Sequence, residues 1–303
     1  MRMVDILLAT YNGEKYIRTQ ILSILSQSYS DWNLIIHDDG STDNTVNIIK
    51  EFASTDSRIK FIDDDVICRS AAVNFMHLLR FSSAPYIMFC DQDDIWFDNK
   101  VEYMFCAIRC TDDSKPNVLY TNACVWRPLI GVLGKATLTF PKDINSLLFL
   151  NSGIQGCASI FNSKIRELML RWKGPLAMHD HLLHLLACAV GNVYYNDIPL
   201  MLYRNHNKNV TGDTRTNKNN IKSIYSTIDY PVVCRKHYDA VVEFRTLYED
   251  VLEDKAKFIL DQYIALPNKD FVSKLWSIVV NRFKCYDSVT RILIKMFVKP
   301  FIK

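Results

Sequence analysis

The stretch Tyr86-Ile87-Met88-Phe89-Cys90-Asp91-Gln92-Asp93-Asp94 runs from an unbroken apolar segment directly into three carboxylates. A short, bounded apolar run of this kind reads as a strand, Tyr86–Cys90, buried on both faces. Alternate residues of a strand project to the same side, so Asp91 and Asp93 are expected to point together from its end. Unpaired carboxylates held side by side repel, unless a hard divalent cation or a metal-bound diphosphate lies between them. Solvated acids ahead of a helix over Trp96–Met104 account for the same cluster, because acids favour a helix's first turn. The residues alone leave both explanations open.

Outward from this strand the pattern alternates. Val4–Ala9, Trp32–His37, Ile59–Ile62 and Val118–Val125 read as further strands. Ile17, Ile21, Ile24 and Leu25 recur at helical spacing, and Thr45–Phe52 and Ala71–Leu79 read as helices. Such alternation predicts an α/β fold: a mostly parallel sheet with helices on both faces and ligands at the carboxyl ends of the strands. Those ends carry Thr10-Tyr11-Asn12, Asp38-Asp39-Gly40 and the acids from Asp91. Gly40 to Asp43 are explained by a capped turn into a helix, whereas Asp38 and Asp39 suit a base N3–H or ribose hydroxyls, and Tyr11 can stack on a base. Neither GxGxxG nor GxxxxGK[ST] occurs, which argues against a dinucleotide dehydrogenase and a P-loop enzyme. From about residue 140 to 210 the pattern loosens into loops and helices expected to cover the sheet edge, with Asn205–Asn220 a polar loop and 221–270 helical.

The chain has 303 residues, 49% of them hydrophobic, with 36 Lys and Arg against 33 Asp and Glu. Near balance gives no reason to expect nucleic-acid binding. Nine scattered cysteines, without a CxxC pair, fit reduced, buried thiols in a cytoplasmic protein better than a disulfide framework. Asp5 breaks the N-terminal apolar run before it reaches signal-peptide length, and no segment is long enough to span a membrane. Charge concentrates at the end: Phe271–Lys303 holds seven Lys or Arg against one Asp. Lys274, Ser277, Asn281 and Lys284 make a polar helical stripe opposite Phe271, Leu275, Trp276, Ile278, Val279 and Phe283. Arg291, Lys295 and Lys299 recur opposite Ile292, Leu293, Met296 and Phe297. A basic helix with an aromatic opposite face predicts peripheral contact with the inner face of the plasma membrane. Docking on the catalytic domain, or an oligomer interface, would produce the same pattern.

Three segments, taken together, resemble the family 2 glycosyltransferases of the GT-A fold: Leu7-Leu8-Ala9-Thr10-Tyr11-Asn12-Gly13, Asp38-Asp39-Gly40-Ser41-Thr42-Asp43-Asn44-Thr45, and Phe89-Cys90-Asp91-Gln92-Asp93-Asp94-Ile95-Trp96 with Lys100. The Asp-Gln-Asp-Asp-Ile-Trp form is most similar to bacterial rhamnosyltransferase-like members that build surface polysaccharides, such as O-antigen or capsule. The likeness continues through Gly156-Cys157 and His179-Asp180 to Tyr203-Arg204-Asn205-His206. It implies a GT-A catalytic domain over 1–212, with a nucleotide-binding half to about 115 and an acceptor half from 116. A loop and helical extension over 213–270 and the basic tail over 271–303 would follow. Thr10, Tyr11, Asn12, Glu14, Asp38, Asp39 and Asp91 would bind the nucleotide. Asp93 and Asp91, with His206, would hold Mg²⁺ or Mn²⁺, and Asp180 would be the catalytic base; without the resemblance a helix N-cap is the better reading of Asp180, and with it the two roles are compatible. Trp96, Gly156, His179 and Arg204 would face the acceptor or the diphosphate. His179 stands where many members carry Glu, and Asn122 where relatives often have Asp.

The implied activity is inverting transfer of a sugar from a nucleotide diphosphate donor to a saccharide acceptor carried on a lipid. The branch points to dTDP-rhamnose, with UDP-hexoses as the alternative and an inactive scaffold as a third. A nucleotidyltransferase would need a Gly-rich, basic phosphate loop, which Thr10–Glu14 is not.

Overall fold

The computed structural model describes residues 3–150, 154–206 and 231–303. In its first half, β1 (Val4–Thr10), α1 (Ile17–Leu25), β2 (Trp32–Asp38), α2 (Thr45–Thr55), β3 (Ile59–Ile62), α3 (Ala71–Leu78) and β4 (Tyr86–Asp91) alternate as expected. The strands lie parallel in the order β3-β2-β1-β4. Period-two alternation along β1 divides its side chains between two cores. Leu7 and Ala9 face one that contains Phe75 and Leu78, and Val4, Ile6 and Leu8 face one that contains Ile21, Ile24 and Ile49. The register sets Thr10 beside Asp38 and Ala9 beside Asp91, so the three polar strand ends form one continuous edge.

Beyond β4 come β5 (Ile95–Trp96), α4 (Lys100–Ile108), β6 (Asn117–Arg127), β7 (Gly131–Lys135), α5 (Ile144–Leu147), β8 (Ser159–Asn162), α6 (Ser163–Met169), α7 (His179–Ala189) and β9 (Asn192–Arg204). The sheet continues β4-β8-β6-β9-β5, with β7 on β6. β8 runs antiparallel to both β4 and β6, and β5 antiparallel to β9, while β6 and β9 are parallel. The sheet is therefore mixed, parallel in the first half and partly antiparallel in the second. Trp96 belongs to β5 and the helix starts at Lys100, so the helix expected over Trp96–Met104 begins four residues late. The stretch 192–204, expected to be loop and helix, is the longest strand, with register shifts opposite Asn122.

The C-terminal helices are α8 (Arg235–Leu247), α9 (Asp254–Ile264), α10 (Phe271–Val280) and α11 (Val289–Val298). The expected loop over Asn205–Asn220 lies outside the described residues from 207 onward, as do residues 221–230 of the expected helical stretch. Phe244, Tyr248, Leu260, Tyr263, Ile278, Phe283 and Ile292 complete the core that Leu7 and Phe89 enter from the sheet. The tail thus packs on protein: Ile278, Phe283, Ile292 and Met296 are buried as their spacing predicts, but part of the expected polar stripe of α10 is buried with them. Ser277 and Asn281 are buried beside Ile278, and Lys269 Nζ donates to Ser277 Oγ at 2.9 Å. Val272 and Trp276 instead face outward, 72% and 70% exposed. Helical spacing finds the two faces of a helix, but which one is covered depends on the partner's surface. Among the described residues no helix is long and apolar enough to cross a membrane.

Asp5, in the middle of β1's apolar run, is fully buried. Its carboxylate accepts from Ser82 Oγ, the Ser83 and Ala84 amides and Asn33 Nδ2, and so clamps the entry to β4 onto β1. Asp5→Ala strands these donors and is expected to lower unfolding stability by on the order of 3 kcal/mol, read as a shifted urea midpoint at unchanged slope, with Asp5→Asn recovering part of the loss.

Candidate active site

Two βα turns form the rim of the polar edge. Thr10 Oγ1 and Ser41 Oγ both donate to Asp38 Oδ2 at 2.7 Å, and the Ser41 amide donates to Asp38 Oδ1 at 2.7 Å. Asn12, at φ +46°, accepts from the Thr42 amide at 2.8 Å through Oδ1, and Glu14 accepts from the Asn44 amide at 3.1 Å. Asp39 is held by the amides of Cys68, Arg69 (2.8 Å) and Ser70 (3.0 Å), which anchors the β3–α3 connection. Thr10, Asn12, Glu14, Asp38 and Asp39, expected to contact the nucleotide, thus brace the turns themselves. At strand ends the nearest donors are the unpaired amides of the turn, and short polar side chains answer those first. Tyr11 is 56% exposed, and its backbone is gripped by the Gln92 amide, which accepts from Tyr11 N at 3.0 Å and donates to Tyr11 O at 2.9 Å. Gly13 is required by this grip, since a Cβ there would lie 2.3 Å from Gln92 Oε1.

The acids divide differently from the expected pair. β4 ends at Asp91, so the strand alternation that would align Asp91 with Asp93 stops there, and Gln92 and Asp93 turn. Asp91, Asp94 and Cys157 bring their ligand atoms within 4.8 Å of one another. Burial, then the charge of Asp93, raises the Asp91 carboxyl to about 6, against the pull of the Cys157 thiol and Lys100. Asp94, fully buried, is pushed well above the usual carboxylate range by burial, then by Asp93 and Asp91, while the Arg204 amide donates to its Oδ1 at 3.1 Å. Below them lies Lys100, also fully buried, whose Nζ donates to Cys157 O at 2.6 Å and sits 3.9 Å from the Trp96 ring centroid. Burial lowers the Lys100 ammonium to about 8, and the acids resist that loss.

Asp93 points the other way, to His206 Nε2 at 2.7 Å, while Arg204 Nε donates to the Asp93 carbonyl at 2.7 Å. The His206 ring stacks on Tyr16 at 5.2 Å, and the Arg204 guanidinium lies between Tyr16 (4.8 Å) and Trp126 (4.5 Å). The carboxylate oxygens of Asp91 and Asp93 are donors that fit Mg²⁺ or Mn²⁺, while His206 is paired with Asp93 and adds a nitrogen that Mg²⁺ disfavours.

α7 brings Asp180 to this edge. Its N-cap is Met178, so Asp180 stands within the first turn, which removes the N-cap explanation. The carboxyl is 9% exposed and is raised to about 7, chiefly by burial and next by Asp91, with the His181 and Gly156 amides opposing. Gly156 passes close by: a Cβ there would lie 2.8 Å from His179 Nε2 and 3.3 Å from Asp180 Cβ.

Two expected acceptor contacts belong to the core instead. His179 is buried between Phe75 (4.1 Å) and Phe89 (4.8 Å), and burial lowers its imidazole to about 3, so it is a neutral packing residue. Trp96 is 2% exposed, against Lys100, because the apolar side of β5 faces inward. Asn122 is likewise engaged, donating to Thr137 O and Asp197 Oδ1. Gln92, Asp94 and Lys100 carry structure at the site that sequence reasoning did not assign. Gln92 and Asp94 stood inside the quoted motif, and Lys100 had as its signal a cation six residues after the acids.

Residues 5–164 match the family described as Glycosyl transferase family 2. The dTDP-rhamnosyl transferase RfbG of Shigella flexneri is 31% identical over 219 residues, which is 68% of this chain and 73% of that protein. The Escherichia coli UDP-Glc:alpha-D-GlcNAc-diphosphoundecaprenol beta-1,3-glucosyltransferase WfgD is 40% identical, but over 100 residues, 33% of this chain and 38% of its own length. Among solved structures, S. aureus TarS 1-349 in complex with UDP-GlcNAc superposes with TM-score 0.59 at 15% identity, covering 92% of this chain and 73% of that one. The mannosyltransferase PcManGT of Pyrobaculum calidifontis, in complex with GDP-Man and Mn2+, gives TM-score 0.55 at 15% identity, over 93% and 73%. These superpositions establish the GT-A fold.

Lys100→Met leaves the buried acids without their cation and is expected to cost about 3–5 kcal/mol of stability. Because Asp94→Asn removes part of the same unbalanced charge, the double variant should lose clearly less than the sum of the singles, measured by a denaturant double-mutant cycle.

Proposed function

The chain belongs to glycosyl transferase family 2, and from that premise we propose an inverting transferase of surface-polysaccharide synthesis that moves rhamnose from dTDP-rhamnose to a saccharide acceptor. The observation that carries the mechanism is the Asp180 carboxyl, raised to about 7 and within the field of Asp91 at the carboxyl edge of the sheet. An acid tuned near neutrality suits a general base. The acceptor hydroxyl gives its proton to an Asp180 oxygen as its own oxygen attacks the anomeric carbon. The bond from that carbon to the diphosphate oxygen breaks on the opposite face, and the configuration inverts.

Tyr11 offers an exposed ring for the base, and the turns braced by Asn12, Glu14, Asp38 and Asp39 hold its position. Asp91, Asp93 and His206 would hold Mg²⁺ or Mn²⁺, whose charge neutralises the departing diphosphate when bound. Arg204, clamped over Tyr16 and Trp126, keeps Asp93 and His206 in place.

Rhamnose is favoured by breadth, because the RfbG match runs over 219 residues and the WfgD match over 100. UDP-glucose is the second reading, on the 40% identity of that shorter match. WfgD's acceptor is a diphosphoundecaprenol-linked sugar, which supports a lipid-linked acceptor here. A membrane-facing surface agrees: Val272, Trp276, Val280 and Phe297 are exposed on α10 and α11, with Lys274, Arg291 and Lys295 on the same two helices.

Nucleotide release from a panel of dTDP- and UDP-sugars should be divalent-metal dependent and greatest with dTDP-rhamnose; greater release from UDP-glucose would replace the first reading with the second. Asp180→Asn should lower turnover by ~10²–10⁴ while donor binding by calorimetry is kept. The base must be ionised, and it is ionised above its pKa. The kcat/KM for acceptor should therefore fall about tenfold per pH unit below a limb near 7 and level off above it. Vesicles containing phosphatidylglycerol should co-sediment the protein, and Trp276→Ser with Val272→Ser should abolish this while leaving nucleotide release intact.

A further inference from the structure

Away from the acid cluster, three side chains from separate elements converge: His37 on β2, Asp64 in the β3–α3 connection and His77 on α3. Their ligand atoms lie within 4.8 Å of one another. His37 Nε2 is 3.2 Å from Asp64 Oδ1, His77 Nε2 is 2.7 Å from Asp64 Oδ2, and the two rings meet edge to face at 4.7 Å. His37 is 2% exposed, while the His77 and Asp64 side chains keep 11% and 30% of their surface, so a small ion has access from one side.

The hydrogen bonding behind His37 decides what it presents. Asn74, 1% exposed on α3, donates through Nδ2 to the His37 carbonyl, and its Oδ1 therefore faces His37 Nδ1, at 2.7 Å. Nδ1 must then be the protonated nitrogen, and neutral His37 turns the bare lone pair of Nε2 toward a carboxylate oxygen. Lone pair against lone pair at 3.2 Å is repulsive unless a metal ion lies between them or a proton on Nε2 makes an imidazolium–carboxylate pair. A histidine held through its far nitrogen by an amide oxygen is how protein metal sites orient an imidazole ligand.

We propose that His37, Asp64 and His77 bind a zinc-type transition-metal ion at a site separate from the acids of the donor edge. Two imidazoles and one carboxylate suit Zn²⁺ in tetrahedral coordination with a solvent fourth ligand, and disfavour Mg²⁺, which prefers an all-oxygen octahedron. The ion ties the β3–α3 connection to β2 at Asp64. The same connection is tied at its other end by the amides of Cys68, Arg69 and Ser70 on Asp39, two residues from His37. The site thus holds the connection beside the nucleotide edge from both ends.

The test uses the full-length chain, stripped with EDTA and desalted, then titrated with Co²⁺ in excess Mg²⁺ so that oxygen sites are filled. One equivalent of Co²⁺ should give the intense visible absorption of tetrahedral cobalt, bleached by one equivalent of Zn²⁺. Asp64→Asn and His77→Gln, both on partly exposed side chains, should each weaken Co²⁺ binding by more than about tenfold with unchanged circular dichroism. Asp93→Asn should leave the band intact. Absence of the band, its survival in both variants, or its loss in Asp93→Asn would overturn the proposal. So would imidazole nitrogen shifts showing His37 doubly protonated against Asp64 and unmoved by Zn²⁺, the signature of an ion pair. No sugar donor enters this readout, so its failure leaves the transferase reading untouched, and the reverse also holds.

Discussion

Carboxyl groups enter a protein interior only where something answers their charge or their hydrogen-bonding capacity. Asp91 and Asp94 make that demand at the end of β4, and the chain answers it from three segments, two of them distant in sequence. Lys100 arrives from the start of α4, the Cys157 carbonyl fixes its ammonium from the approach to β8, and the Arg204 amide comes from the end of β9. The two-residue strand β5 makes this convergence geometrically possible. It pairs Ile95 with Leu202 and Trp96 with Met201, which brings Arg204 and His206 back over Asp93. The half of the sheet that is not locally wound is thus fastened to the half that is, through one electrostatic requirement.

That division also explains what could be read from sequence. The four parallel strands and their helices are built from neighbours in the chain, and each leaves its own periodicity: Ile17, Ile21 and Ile24 of α1 enter the core as their spacing says. The second half is held by pairing between remote segments. β9 carries Asn192, Asp197 and Pro199, and a strand with a proline and shifted register shows no clean alternation. The tail was legible as helices, and Ile278, Ile292 and Met296 are buried as expected, but the polar stripe of α10 was not legible as a contact. Ser277 and Asn281 are buried because they satisfy Lys269 and each other at the contact, whereas Trp276 looks outward.

At the site, residue types announced polarity without announcing its purpose. Asp38, Asp39, Asn12 and Glu14 sit at strand ends, where an approaching ligand and the unpaired amides of a turn ask for the same acceptors. Sequence cannot separate these demands, because both place acids and amides after a strand. His179 misled for a related reason: an imidazole beside Asp180 looks chemical, yet two phenylalanines enclose it and burial keeps it neutral.

Asp38, Asp39 and Asp180 all accept hydrogen bonds at the carboxyl edge, but Asp180 is also set against a second acid. Asp38 accepts three hydrogen bonds from Thr10 and Ser41, and Asp39 accepts three from the amides of Cys68, Arg69 and Ser70. Asp180 has amides opposing its burial, but these do not outweigh desolvation and the like charge of Asp91, and its proton is held near neutrality. A buried acid with a like charge beside it is costly to keep in a folded chain, and such groups cluster at functional sites. Burial and the like charge of Asp91, not a shortage of donors, raise the Asp180 carboxyl. Asp180 is also the residue that the family resemblance implies as the base, which is why the proposed role rests on it.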